Sequence, residues 1–263
     1  MHSPLWLTTE IRAAIFFGLL FAMLALEHAW PRRASQLLRA LRWPANFGMA
    51  ALNTTMLWLI PMAAVGAAYG AQEAGFGLLN QLTLPAWAEI GIAWLALDCA
   101  IYWQHRAFHE IRALWPLHRV HHSDVEFDTT TAVRFHPTEI LLSLLVKSLA
   151  VTLLGAPPIA VLLLETTVNG FALFNHANLR LPRWLESALR RFVVTPDLHR
   201  IHHSVHRVET DSNYGSSLVL WDRLFGSYTQ APRDGHEAMR IGLPEFRDEQ
   251  AQKLASLLTQ PLK

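Results

Sequence analysis

Long apolar segments are the feature of this sequence that most constrains its fold. A bilayer core of about 30 Å needs roughly 20 apolar residues in a helix, and three segments reach that length. They run from Ile11 to Trp30, from Phe47 to Tyr69 and from Pro85 to Trp103. Only 16% of the residues are charged and the mean hydropathy is +0.20, which favours a membrane protein over a soluble domain.

A fourth apolar region, from Thr138 to Phe174, is interrupted by a helix-breaking stretch, Gly155 to Pro158. We therefore expect a helical hairpin that returns to the side of the membrane on which it starts. The predicted fold is all-α: an integral-membrane bundle of three spans plus this hairpin, capped by a cytoplasmic histidine-rich helical domain. The predicted divisions are N-terminal spans at 1–97, a catalytic domain at 98–228 that includes the hairpin at 138–174, and a C-terminal tail at 229–263.

The distribution of arginine predicts the orientation in the membrane. Residues 71–84, after the second span, contain no lysine or arginine, whereas arginines follow the first and third spans at positions 32, 33, 39, 42, 106, 112 and 119. The positive-inside rule then places the N-terminus away from the cytoplasm and the later histidines on the cytoplasmic side. The first segment lacks a small-x-small cleavage site, so we expect a retained helix, with Glu27 and His28 reaching the interface without a chemical role.

Charge and cysteine content exclude several classes of protein. With 22 Lys+Arg against 21 Asp+Glu the net charge is +1, so no overall field recruits nucleic acid. The single cysteine, Cys99, lies inside an apolar run, which excludes an intrachain disulfide and any cysteine-based zinc or iron–sulfur site. Histidine must therefore supply any metal chemistry.

Eight histidines fall into three motifs with helical spacing. The motifs are His105-x3-His109, His118-x2-His121-His122 and His199-x2-His202-His203. Positions i, i+3 and i+4 lie on one side of a helix, so each motif presents several imidazoles together. With 14 histidines in 263 residues, one such H-x-x-H-H is expected by chance roughly 0.04 times, and this chain has two. Eight ligands exceed the three or four of a zinc site, so the sequence predicts two metal ions.

Three further residues are candidates for the same site. His136 and His176 flank the hairpin at its two cytoplasmic ends, although either alone is also compatible with a surface or helix-end histidine. Asp98 lies in an apolar span, where an unpaired carboxylate is costly. We predict that it accepts the ring N–H of a ligating histidine, the alternative being an ion pair with Arg106.

Other residues accompany the histidine motifs in a fixed order. They begin with Asp98-x3-Tyr102-Trp103 before His105 and Leu117 before His118, and they continue with Arg134-Phe135-His136-Pro137, Asn175-His176-x-Asn178, Glu209 to Gly215 and Trp221 to Tyr228. In type, spacing and order these residues resemble the fatty acid hydroxylase or sterol desaturase superfamily. The resemblance runs from about Asp98 to Tyr228 and names no substrate.

The resemblance implies a membrane-bound non-haem di-iron oxygenase that hydroxylates or desaturates a C–H bond of a lipid or sterol-like substrate. Carried over residue by residue, it implies ten metal ligands: His105, His109, His118, His121, His122, His136, His176, His199, His202 and His203. We also predict catalytic support from Asp98, Asn178 and Asn213, with Asp211 and Tyr214 beside them. His206 departs from the spacing and is expected near the ligands or on the surface. The expected cofactor is two iron ions, and zinc is an alternative in isolated protein because histidine sites also bind it.

The expected partners are the lipid or sterol-like substrate, O2, membrane lipids and a separate cytoplasmic electron donor, because no haem-attachment, iron–sulfur or GxGxxG motif is evident. Three alternatives explain the histidine motifs less well. A zinc metalloprotease needs His-Glu-x-x-His, but Ala113 stands where the second histidine is required. A histidine-rich metal-binding or transport protein without oxygenase activity would place ligands along the spans near the bilayer midplane. A structural role in assembly does not explain the duplicated motif.

Overall fold

The computed structural model describes residues 5–34, 39–60 and 63–263, and within them the chain is helical, with only three isolated β-bridges. The predicted all-α class is confirmed. The first seven helices are α1 (Leu5–Ala29), α2 (Arg39–Trp58), α3 (Ala63–Glu73), α4 (Ala86–Glu110), α5 (Trp115–His122), α6 (Pro137–Leu154) and α7 (Pro158–His176). Shorter helices follow: α8 (Arg183–Leu189), α9 (Pro196–His202), α10 (Arg207–Thr210), α11 (Leu220–Leu224), α12 (Gly235–Ala238) and α13 (Leu254–Thr259).

Three of the described helices are long and apolar enough to cross a membrane: α1 over Glu10–Ala29, α6 and α7. They correspond to the predicted first span and to both arms of the predicted hairpin. Gly155 ends α6 with a left-handed φ of 67°, and its N–H donates to carbonyls of the last turn. Pro157 and Pro158 then begin α7, where a missing N–H carries no cost.

The second predicted span needs correction. The segment Phe47–Tyr69 is not one helix, because α2 ends at Trp58 and α3 begins at Ala63. The break falls just before Pro61, a residue type that lacks the helical N–H donor and disfavours helical conformation in the residue preceding it. The third predicted span, Pro85–Trp103, forms the first part of the continuous helix α4, with Pro85 as its N-cap, although α4 is not one of the three helices that are long and apolar enough to cross a membrane.

Helices α3, α4, α6 and α7 pack around one apolar core. The core includes several small residues, and Ala68, Ala93 and Ala160 are completely buried there. Small side chains let helix backbones approach closely inside a membrane. The core therefore fixes α4, whose C-terminal end carries His105 and His109, against α6 and α7.

A buried polar network attaches α2 to the segment that follows the second histidine motif. The Arg42 guanidinium donates to both carboxylate oxygens of Asp124 and, at 3.0 Å, to Asp128. Asn46 donates to Asp124 at 3.2 Å and to Thr130 at 2.9 Å. These side chains are all buried, so the network holds the segment rigidly beside the histidines.

The C-terminal segment folds back onto the histidine-bearing helices. Leu257 of α13 is buried against Met49 of α2 and Val120 of α5. Arg119 donates to the carbonyl of Gln260 at 2.7 Å. Residues after 228 thus help to hold α5 in place.

Glu27 is buried inside the protein and is not exposed as the prediction requires. It is buried and accepts hydrogen bonds from the N–H and hydroxyl of Thr129, at 3.0 and 2.8 Å, and from the N–H of Asn178, at 3.0 Å. These donors satisfy a carboxylate that would otherwise require water. Glu27 therefore joins the end of α1 to the segments that carry Thr129 and Asn178.

Candidate metal centre

Nine of the ten predicted ligands meet in two groups. Within each group the candidate ligand nitrogens lie within 4.8 Å of one another. The five-histidine group consists of His105, His109, His118, His122 and His202, and the four-histidine group consists of His121, His176, His199 and His203. All of them are buried except His105, which is partly buried.

Each H-x-x-H-H motif contributes to both groups. In the first motif the i and i+4 residues enter the five-histidine group and His121 enters the other; in the second motif the assignment is reversed, with His202 alone in the five-histidine group. Neighbouring residues on a helix point about 100° apart, so the side chains of adjacent histidines cannot point towards the same position. The rings of His122 and His203 stack with centroids 4.4 Å apart, so the two groups are contiguous.

Backbone carbonyls fix the orientation of three rings. The Nδ1 atoms of His105 and His202 lie 2.7 Å from the carbonyls of Tyr214 and Ser212, respectively. His176 makes the same contact, at 2.7 Å, with a carbonyl one turn earlier in α7. Because a carbonyl only accepts hydrogen bonds, each Nδ1 carries the proton and each Nε2 faces its group with a free lone pair.

Carboxylates contact two rings of the five-histidine group. Nδ1 of His118 lies 2.6 Å from Oε1 of Glu139, and both side chains are buried. Nδ1 of His109 lies 3.3 Å from Asp211, which also pairs with Arg207 at 2.6 Å. Glu139 was not predicted, although its position three residues after His136, at the start of an apolar helix, is a recognisable signal.

The facing nitrogens fit a metal ion. Burial, together with repulsion from His118, lowers the pKa of His105 to about 3, and burial and neighbouring histidines hold the pKa of His202 well below its usual value. Both rings are therefore neutral near pH 7, yet their Nε2 atoms lie 3.1 Å apart with no proton between them. In the other group, the Nε2 of His176 is 3.1 Å from His121 and 3.0 Å from His199. Converging lone pairs are unfavourable without a cation, and imidazole is a good ligand for iron, zinc or copper.

Aromatic rings enclose the two groups. Phe135 stacks on His121 with centroids 4.3 Å apart, and Phe127 lies 5.1 Å from His203. Trp115 lies 5.1 Å from His109 of the five-histidine group. These rings limit access of water to the nitrogens.

His136 is the predicted ligand that the structure does not bring to the groups. Its Nδ1 accepts the N–H of Thr138 at 3.2 Å and caps α6, while its Nε2 donates to the carbonyl of Leu258 at 3.2 Å. One acceptor and one donor satisfy a neutral imidazole completely. His206 pairs with Asp234 at 2.6 Å on the surface.

The three residues predicted to support catalysis do not contact the histidine rings in the described structure. Asp98 accepts the indole N–H of Trp221 at 2.8 Å, which corrects both the predicted histidine contact and the alternative pairing with Arg106. Asn178 bonds to backbone atoms of Arg33 through its amide, at 3.0 and 2.8 Å. Asn213 acts indirectly: with a left-handed φ of 52°, it shapes the turn whose flanking carbonyls orient two ligand rings.

Comparison with known proteins places these residues in a family context. The family described as "Fatty acid hydroxylase" matches residues 90–227. An ornithine lipid hydroxylase of Rhizobium tropici is 31% identical over 145 residues, covering 55% of this chain and 43% of the relative. An alkylglycerol monooxygenase of Danio rerio is 32% identical, with 52% and 30% covered, and a Delta(7)-sterol 5(6)-desaturase of Candida glabrata is 30% identical, with 52% and 35% covered. The matches thus span less than half the length of these relatives. No solved structure matches the chain.

Proposed function

Because the chain belongs to the fatty acid hydroxylase family, we propose that it is a membrane-bound two-metal oxygenase acting on a lipid or sterol-like substrate. The reaction is hydroxylation or desaturation of a C–H bond, with O2 as oxidant and electrons from a separate cytoplasmic donor. The observation that carries the proposal is the convergence of nine imidazoles, all within the family match, into two adjacent groups.

We assign the nine clustered histidines as ligands of two iron ions, and we leave His136 out of the set because both its ring nitrogens are engaged elsewhere. When bound, the ions would supply the O2 activation and C–H oxidation that amino-acid side chains cannot perform. The chain's own part is to hold the rings in one tautomer and orientation, through carbonyls and carboxylates on Nδ1. The same fixed orientation excludes protons from the nitrogens that face the ions.

The position of the groups limits which carbon is oxidised. His176 is the last residue of α7, and Glu139, which contacts His118, lies in the first turn of α6. The histidine groups therefore lie at one edge of the apolar helices, on the side that the arginine distribution assigns to the cytoplasm. We expect oxidation near the polar end of a membrane lipid rather than at the terminus of its acyl chain.

The relatives support this class of substrate without choosing among its members. Their names describe hydroxylation of an ornithine lipid, monooxygenation of alkylglycerols and desaturation of a sterol. All three are amphiphiles that partition into a bilayer. The three reactions differ in outcome but share removal of hydrogen from a C–H bond.

An isotope experiment tests the proposal. Purified, iron-loaded protein in lipid nanodiscs receives a chemical reductant, 18O2 and, separately, ornithine lipids, alkylglycerols and sterols, and products are identified by mass spectrometry. Hydroxylation adds one 18O atom, and desaturation removes two hydrogens. We expect product with the wild type and with His206→Ala, a surface control, and none with His202→Ala. Two bound irons without any product from these lipids would contradict the oxygenase proposal and favour a metal-binding protein.

A further inference from the structure

Glu139 is a buried carboxylate outside the histidine motifs that touches the five-histidine group. The residue is 3% exposed, and its Oε1 lies 2.6 Å from Nδ1 of His118. Its Oε2 is buried without a hydrogen-bond partner, and no lysine or arginine pairs with it within the described part of the chain. A buried carboxylate is costly unless a cation compensates it. A metal ion on the far side of the His118 ring would be that cation.

The carboxylate of Glu139 contacts a ring of the five-histidine group and none of the four-histidine group. Asp211, the other carboxylate near the five-histidine group, is 32% exposed at its side chain and already pairs with Arg207. In the four-histidine group, His176 donates to a backbone carbonyl, and the Nδ1 atoms of His121 and His199 have no partner among the described residues. One group therefore has an uncompensated carboxylate behind a ligand ring, and the other has none among the contacts described.

We propose that Glu139 is a positioning residue for the metal ion of the five-histidine group, an inference that rests on the proposed two-metal site. By accepting the Nδ1 proton of His118, Glu139 keeps the Nε2 lone pair turned to the ion. Its charge also increases the basicity of that imidazole, as outer-sphere carboxylates do for metal-bound histidines. The two centres are therefore electronically unequal, and the centre next to Glu139 binds its ion more tightly.

Iron titration with Mössbauer spectroscopy separates the two centres. The full-length apoprotein in detergent is titrated anaerobically with 57Fe2+, using wild type, Glu139→Gln, Glu139→Ala and Asp98→Asn. Glutamine keeps the size and an acceptor oxygen but removes the charge, whereas alanine removes both. Asp98→Asn is the matched control, because Asp98 is also buried but its described partner is Trp221 rather than a histidine. Thermal unfolding of each apoprotein monitors folding.

We expect Glu139→Gln to weaken one of two sites by roughly 10–100-fold and to shift one of two ferrous doublets, leaving the other unchanged. Glu139→Ala should retain about one iron per chain, and Asp98→Asn should bind as the wild type does. Two irons bound by both Glu139 variants with wild-type affinity and spectra would overturn the inference alone. Equal weakening of both sites with a lowered unfolding midpoint would also overturn it, because that result marks a purely structural residue. A wild type that binds no iron would overturn the proposed function itself.

Discussion

Replacing Arg42 by methionine should destabilise the protein by about 3–5 kcal/mol, the usual cost of removing one partner from a buried ion pair. Arg42 is 1% exposed, and it binds the buried carboxylates of Asp124 and Asp128. Burial alone would raise the pKa of Asp124, but the charges of Arg42 and, to a smaller extent, Arg134 outweigh burial. The pKa of Asp124 is therefore below its ordinary value. Since Arg134 remains after the substitution, we expect a loss towards the lower end of the range.

Thermal unfolding of the metal-free protein in detergent measures this loss. For a chain of this size 1 kcal/mol corresponds to roughly 2–4 °C, so the midpoint should fall by roughly 6–20 °C. The matched control is Arg180→Met, because Arg180 pairs with Glu237 at 3.3 Å while both side chains remain 59% and 71% exposed. Exposed pairs contribute at most about 1 kcal/mol, so the control should shift by less than about 4 °C. Equal shifts for the two variants would refute the assignment of Arg42 as a buried structural cation.

Three other predictions concern the membrane helices and the histidines. Gly77→Ala should lower the unfolding midpoint far more than Gly226→Ala, although both glycines have positive φ. A Cβ at Gly77 would lie 2.3 Å from the backbone nitrogen of Gly155, whereas nothing lies within 4 Å of a Cβ at Gly226. Similar midpoints for the two variants would contradict this prediction. Glu165→Gln should cost about 2.5–3.5 kcal/mol, because it leaves the partly buried Arg12 of α1 and Lys147 of α6 uncompensated in the apolar bundle. Glu73→Gln at the exposed end of α3 should be neutral, and equal effects of the two changes in thermal unfolding would count against the partly buried triad. The metal-free protein should lose stability as the pH falls below about 6.5, because burial lowers the pKa of His105, His202 and His203 and their unfolded forms then bind protons that the folded forms do not. The stabilisation is complete above that pH, and an unfolding midpoint that is flat from pH 7.5 to 5.5 would be inconsistent with it.

Local patterns were sufficient to predict the helical hairpin and most of the histidines that form the two groups. Gly155 and the two prolines after it specify a hairpin because a left-handed residue and missing N–H groups stop a helix wherever they occur. Histidine spacing likewise predicts which rings lie on one side of a helix, because helix periodicity is also a local property. The broken second span was also predictable, since Pro61 is present in the sequence.

Tertiary arrangement decided the rest of the site. Spacing alone does not reveal that His121 and His122 serve different groups, because that depends on where the second motif and α7 approach. His136 has the residue type of a ligand, but the C-terminal segment presents a carbonyl that engages its ring. The carbonyls of Ser212 and Tyr214 belong to an irregular segment, and backbone acceptors leave no signal in residue type.

The central claim is that two metal ions are held by two groups that each combine histidines from different sequence motifs. Counting bound irons in variants that each lack one of these histidines tests this claim most directly. Wild-type protein, His118→Ala, His121→Ala, His202→Ala and the surface control His206→Ala are loaded anaerobically with 57Fe2+ and compared by metal analysis and Mössbauer spectroscopy. We predict about two irons in the wild type and control. His118→Ala and His202→Ala should lose the same doublet, and His121→Ala should lose the other. If His118→Ala and His121→Ala remove the same doublet, iron loss follows the sequence motifs and the two interleaved centres are contradicted. Iron binding that is unaffected by all three changes would contradict them as well.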